Sequence, residues 1–135
     1  MEKLKKKIEI AQKALKTLKN ILKYPYSEIT RDASIQRFEY CFEIIWKTVK
    51  LYLEYYEGII CNSPKSCFRE LFSIGLIDEN KTIKLLEMTD DRNLTSHTYD
   101  EELAKELYNK IRQYYKLMEE ILKKIEKQVK QKYNN

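Results

Sequence analysis

The chain has 135 residues, 35% of them charged and 43% hydrophobic, and a formal net charge of +5. This suits a single domain over 1–135 with a real core, and excludes a disordered or fibrous chain. No uncharged run reaches the roughly 18 residues of a membrane span, and Met1-Glu2-Lys3-Leu4-Lys5-Lys6-Lys7 is not followed by a signal-peptide core, so a cytoplasmic protein is expected.

Two glycines and two prolines leave little material for turns, which predicts few, long elements. Residues 2–23 read as an amphipathic helix, since Leu4, Ile8, Ala11, Leu15, Leu18 and Leu22 step by threes and fours. Tyr24-Pro25-Tyr26-Ser27 ends it, because proline cannot continue the hydrogen-bond ladder.

Residues 29–60 carry the longest apolar pattern. One stripe is Ile35, Phe38, Phe42, Ile45, Val49, Tyr52 and Tyr56; a second is Cys41, Ile44, Thr48, Leu51 and Tyr55. Two stripes exceed what one neighbour covers, so this helix is either central in a bundle or part of a subunit interface. Glu43 and Lys47 are spaced as an ordinary i,i+4 ion pair, and Gly58 loosens the helix end.

Ser63-Pro64 signals a helix start, with Ser63 as N-cap and proline at the first position. The helix is short, 64–74, and Gly75 closes it. The next helix carries Ile83, Leu86 and Leu94 inward and ends in Asp91-Arg92-Asn93-Leu94-Thr95-Ser96-His97-Thr98-Tyr99-Asp100. Thr98 with Glu101, or Asp100 alone, caps a last helix over 101–132, whose buried stripe is Leu103, Leu107, Ile111, Tyr114, Met118, Ile121 and Ile125. Residues Lys132 to Asn135 are expected to fray. The sum is an all-α, up-and-down four-helix bundle with an additional short helix.

The three cysteines, Cys41, Cys61 and Cys67, follow no metal-ligand spacing. With one histidine in the chain they assemble no zinc site, so small buried or half-buried thiols and no metal are expected. Lysines crowd the first and last helices. Such faces attract RNA or are simply solvated, and lysine without interleaved aromatics is poor evidence for base recognition.

The stretch 91–100 holds the only histidine, with an arginine five residues before it and a tyrosine two residues after. An imidazole exchanges protons near neutral pH, a guanidinium grips phosphate oxygens, and a phenol is a latent nucleophile or a donor. On a straight helix Arg92 and His97 would stand roughly 140° apart, so a shared cleft requires a frayed or broken end near Ser96. The plain alternative is that Arg92 pairs with a nearby Asp and His97 caps a helix C-terminus.

Arg92-Asn93-Leu94-Thr95-Ser96-His97-Thr98-Tyr99 resembles the R-x4-H-x-Y motif of HEPN-domain proteins. Over about residues 1–125 the chain resembles the small HEPN partners of minimal nucleotidyltransferases (MNT), the nucleotidyltransferase substrate-binding proteins. The supporting runs are Ile35 to Lys47, Ser63-Pro64-Lys65, Phe68-Arg69-Glu70-Leu71-Phe72 and Gly75-Leu76-Ile77. Glu43 and Lys47 also fit an E-x3-K pattern seen in some HEPN proteins. The resemblance implies the same helical bundle and metal-independent endoribonuclease chemistry. His97 would act as general base or acid, Arg92 would stabilise charge on phosphorus, and Asn93 would help to hold the phosphate. One histidine per chain points to a homodimer that supplies base and acid together. The resemblance further implies a toxin–antitoxin pair in which an MNT antitoxin uses ATP to AMPylate Tyr99; the chain itself needs no cofactor. The alternative is a non-catalytic, substrate- or nucleotide-binding subunit of a two-component nucleotidyltransferase, and a third reading is a helical scaffold.

Overall fold

The structure, a computed structural model, describes residues 1–134, with side chains through Gln131. Its order is α1 (Glu2–Ile21), α2 (Glu28–Glu57), α3 (Pro64–Ser73), α4 (Glu79–Leu94), a 3-10 turn (Thr95–His97) and α5 (Glu101–Asn134). Four long helices and one short one form the expected all-α bundle. The expectation of a fraying end falls on Asn135 and on side chains outside the described residues.

The first apolar stripe of α2, and the second except for the exposed Tyr55, are explained by the position of this helix. It packs against α1, α3, α4 and α5. Phe38, Phe42, Ile45, Val49 and Tyr52 are buried, as are Cys41 and Thr48 of the second stripe, while Ile44 and Leu51 pack against the core from its edge. Ring contacts tie the layers together: Phe38 stacks on Tyr114 of α5 at 5.5 Å, and Phe42 meets Phe68 of α3 edge-on at 6.2 Å. Each fully buried ring contributes roughly 1.5–3 kcal/mol over an exposed one.

The helix ends follow the local chemistry. The Ser27 hydroxyl accepts the Thr30 N–H at 3.0 Å at the start of α2. Gly58 closes that helix at φ 65°, a left-handed conformation that costs glycine nothing. Ser63 and Ser66 form a reciprocal capping box at the start of α3. At its end Gly75, with φ 79°, donates to the Phe72 carbonyl while Leu76 donates to Leu71, the paired bonds of a Schellman turn. Asp100, rather than Thr98, caps α5: its Oδ1 accepts the Glu102 and Leu103 N–H groups at 3.1 and 3.2 Å.

Two expectations are corrected. Ile83 and Leu94 do not point inward; they are 48% and 40% exposed, and Leu86 is half-buried. The buried face of α4 is instead Thr82, Leu85, Met88, Thr89 and Asp91. Polar side chains share it, so a purely apolar periodicity picks the wrong phase. Cys61 and Cys67 are not separate thiols. They form a disulfide, because the α3 cap turns the chain back until their Cα atoms lie 5.3 Å apart. Cys41 alone is a free thiol. It is buried, and burial pushes its pKa up to about 12, which leaves it inert at neutral pH.

Candidate active site at the end of α4

The α-helical ladder of α4 stops at Leu94, and a 3-10 turn carries the chain through Thr95, Ser96 and His97. This is the break near Ser96 that the spacing of Arg92 and His97 requires. The turn is fastened from both sides. Ahead of it, Asp91 is buried, and its Oδ2 accepts the Tyr114 hydroxyl and the Lys110 ammonium, the latter at 3.2 Å. Behind it, Asp100 caps α5 and Glu101 lies 3.6 Å from the buried Arg31 guanidinium at the head of α2. Arg31 is held firmly cationic, first by its bond to Asp32 at 2.9 Å, against the opposing effect of burial.

Arg92 meets α2 much further down, at Glu43. Its Nη2 is 3.6 Å from Glu43 Oε1, and its Nη1 donates to the Thr95 hydroxyl at 3.1 Å. That hydroxyl in turn donates to the Arg92 carbonyl at 2.8 Å, so Thr95 locks arginine and turn together. Arg92 Nε is shielded from solvent and has no hydrogen-bond partner among the described residues. Twelve positions separate Arg31 from Glu43, about 18 Å of α2. The segment from Asn93 to Asp100 therefore runs along the head half of the central helix.

Glu43 is itself held. Its Oε2 accepts the Trp46 indole N–H at 3.1 Å and lies 3.8 Å from Lys47. The expected Glu43–Lys47 pair exists, yet the partner of Arg92 is this glutamate and not a nearby Asp. Spacing alone could not join two residues 49 positions apart; the E-x3-K pattern was the available signal. Asp91 was also missed. An acidic residue in the last turn of a helix opposes the macrodipole, which signals a dedicated partner, here Tyr114.

His97 and Tyr99 stand outside this network. His97 is exposed, and its Nδ1 lies 3.3 Å from the Tyr99 hydroxyl with the rings edge-on at 5.9 Å. Tyr99 is 82% exposed. Asn93 is exposed beside Arg92. The site thus offers a pre-fastened guanidinium, a solvent-facing imidazole and an exposed phenol within eight consecutive residues. That set can bind an anionic ester, move a proton and accept a group at oxygen. Among the described residues no group of three or more His, Cys, Asp or Glu side chains is arranged to hold a metal ion, and no helix is long and apolar enough to cross a membrane.

Comparison with known proteins places this architecture. The family described as nucleotidyltransferase substrate binding protein like matches residues 6–127. A protein of Haemophilus influenzae named probable ribonuclease HepT is 35% identical over 82 residues, which are 58% of this chain and 55% of that relative's length. Among solved structures, a Thermus thermophilus protein superposes with a TM-score of 0.82 at 42% identity, over 85% of this chain and 98% of its own. HI0074 of Haemophilus influenzae, described as the fold of a substrate binding domain of a nucleotidyltransferase, gives 0.74 at 25% identity, over 88% and 98%. A toxin–antitoxin structure with AMP-PNP gives 0.73 at 17% identity, over 90% and 96%, a likeness of fold alone. The chain belongs to the nucleotidyltransferase substrate-binding-protein-like family.

Proposed function

We propose that this chain is the HEPN toxin of a HEPN–MNT toxin–antitoxin pair, a metal-independent endoribonuclease neutralised by a minimal nucleotidyltransferase. The observation that carries the reading is the break at Thr95: it leaves Arg92 fastened to Glu43 and Thr95 while His97 turns to solvent. In the reaction a ribose 2′-oxygen attacks the adjacent phosphorus and the bond to the 5′-oxygen breaks. The products are a 2′,3′-cyclic phosphate and a 5′-hydroxyl. One group takes the 2′ proton and another protonates the departing oxygen. Arg92, whose side chain is partly exposed, faces the charge that builds on phosphorus, and Asn93 supplies a neutral donor beside it.

A single imidazole cannot be base and acid in the same event, so the reading includes a homodimer with one His97 from each copy. The outward face of α4 supports this. Ile83, Leu86 and Leu94 line that face up to the motif, and none of them is fully buried. Neutralisation would occur at Tyr99, the most exposed aromatic of the motif. The phenolic oxygen attacks the α-phosphorus of ATP, pyrophosphate leaves, and the phenolic proton passes to water or to His97 Nδ1 at 3.3 Å. The added phosphodiester places negative charge beside His97 and occupies the mouth of the site.

The family description and the likeness to HI0074 favour a second reading, a substrate- or nucleotide-binding subunit that uses Arg92 and His97 without cleavage. RNA cleavage by the purified chain in EDTA, wild type beside His97→Ala and Arg92→Ala, separates the two. Cyclic-phosphate ends from the wild type alone establish the nuclease. Intact RNA, from protein whose mass shows Tyr99 unmodified, assigns the binding role.

A further inference from the structure

A basic trough lies between α1 and α5, away from the motif. Lys16 and Lys19 of α1 and Lys23 of the turn after it line one side; Arg112, Lys116 and Lys123 line it from α5. Glu119 and Glu126 are the carboxylates in its walls. All six cations are exposed. Lys123 pairs with Glu119 at 3.6 Å, and Arg112 donates to the Leu22 carbonyl at 2.6 Å, closing the end of α1. Lys16, Lys19, Lys23 and Lys116 make no ion pair among the described residues. A step of three places Lys16 and Lys19 on one edge of α1, and the turn after the helix adds Lys23.

The floor distinguishes this trough from an ordinary solvated face. Tyr115 is half-buried in it and donates to Glu119 at 2.7 Å, and the amides of Gln12 and Asn20 stand on the opposite wall. Cation edges, a ring and neutral donors and acceptors suit a phosphate backbone whose bases or sugars lie inward. The part between Gln12 and Glu126 has a volume of about 430 Å³ and the adjoining part at Arg112 and Lys116 about 290 Å³, near the usual range for ligand clefts, roughly 300–1,000 Å³. Charged rims on both sides favour a phosphate backbone over the apolar face of a partner helix.

We infer that the α1–α5 trough is a second, non-catalytic RNA site that holds single-stranded RNA by its backbone. The identity of the strand as RNA rests on the nuclease reading. Lys110 and Tyr114 face Asp91 across α5, whereas Arg112, a two-residue step of about 200° around the helix from either, turns to the Leu22 carbonyl, so the trough lies on the side of α5 away from Arg92. It would hold a segment of the strand remote from the scissile bond.

The test uses the full chain with His97→Ala, so that RNA stays intact, and fluorescein-labelled single-stranded oligouridylate as probe. Lys16→Ala/Lys19→Ala/Lys116→Ala should weaken binding at least tenfold. It should also flatten the plot of log K against log salt by about 2, at roughly 0.7 for each phosphate that is no longer neutralised. A control triple, Lys13→Ala/Lys84→Ala/Lys105→Ala, removes the same charge from exposed positions outside the trough and should change the affinity far less. Equal loss in both triples, or none in the first, overturns the proposal. So does retained RNA affinity in the first triple combined with lost binding to phosphatidylserine vesicles or polyglutamate. Cleavage by the wild type is a separate arm. No cleavage beside trough-dependent binding removes the nuclease and leaves the trough; cleavage beside diffuse binding does the reverse.

Discussion

Asp91 should prove to be the residue that fixes the active turn to the core, and a double-mutant cycle with Tyr114 measures it. Tyr114 is 4% exposed, its ring stacks on Phe38, and its hydroxyl finds Asp91 Oδ2. In Asp91→Ala that hydroxyl is left buried without an acceptor, at a cost of about 1–3 kcal/mol. Lys110 loses its carboxylate too, but the lysine side chain is 51% exposed, so that loss adds little. In Tyr114→Phe the stack on Phe38 remains, while the buried carboxylate loses its neutral donor; a bond to a charged group contributes about 1.5–3 kcal/mol. With both groups gone nothing is left unsatisfied. The double variant should therefore be more stable than the sum of the singles predicts, by about 1–2 kcal/mol, within the range seen for contacting pairs. Urea unfolding followed by circular dichroism gives all four corners, provided the slope with denaturant stays constant. Additivity within about 0.3 kcal/mol would refute the anchoring role, because independent sites behave that way.

Glu43→Gln should lower stability by less than about 1 kcal/mol, since the glutamate side chain is 39% exposed. It should tighten a nucleoside 2′,3′-cyclic phosphate about fivefold, because a competing attraction of about 1 kcal/mol at 3.6 Å is removed; NMR titration beside Arg92→Ala, which should abolish binding, checks it. Reduction of the Cys61–Cys67 bond, which closes a short loop with a sequence separation of 6, should cost about 2 kcal/mol. A Cys61→Ser/Cys67→Ser chain should show the same loss and no further response to dithiothreitol. At high pH the buried and half-buried tyrosines lower stability as they ionise. Burial raises the pKa of Tyr52, Tyr114 and Tyr115, with bonds to Asp91 and Glu119 adding to the latter two. The folded state then holds protons that the unfolded state has released, so this stabilisation is complete below about pH 10 and declines as pH rises beyond it. Tyr114→Phe should make that alkaline decline less steep, read by unfolding at a series of pH values beside tyrosinate absorbance.

The sequence by itself determined the elements whose physics is local. Apolar steps of three and four, the Ser63-Pro64 start, the glycines at 58 and 75 and the scarcity of turn residues specify five helices within a residue or a few. The motif from Arg92 to Tyr99 was legible because its residue types sit within eight positions, and helix geometry made a broken end near Ser96 the condition for a shared cleft. What only the tertiary structure decided were meetings between distant positions. Glu43 reaches Arg92 because α4 ends against the middle of α2; no local rule encodes that length match. Asp91 is buried because Tyr114 descends from α5 to meet it, so a charged residue took a core position that apolar periodicity had given to Ile83 and Leu94. Cys61 and Cys67 pair because the α3 cap folds the chain back, not because of their spacing. The lysines of α1 and α5 read as two solvated faces until the helices stand side by side. Their exposed edges and the ring of Tyr115 then enclose one trough.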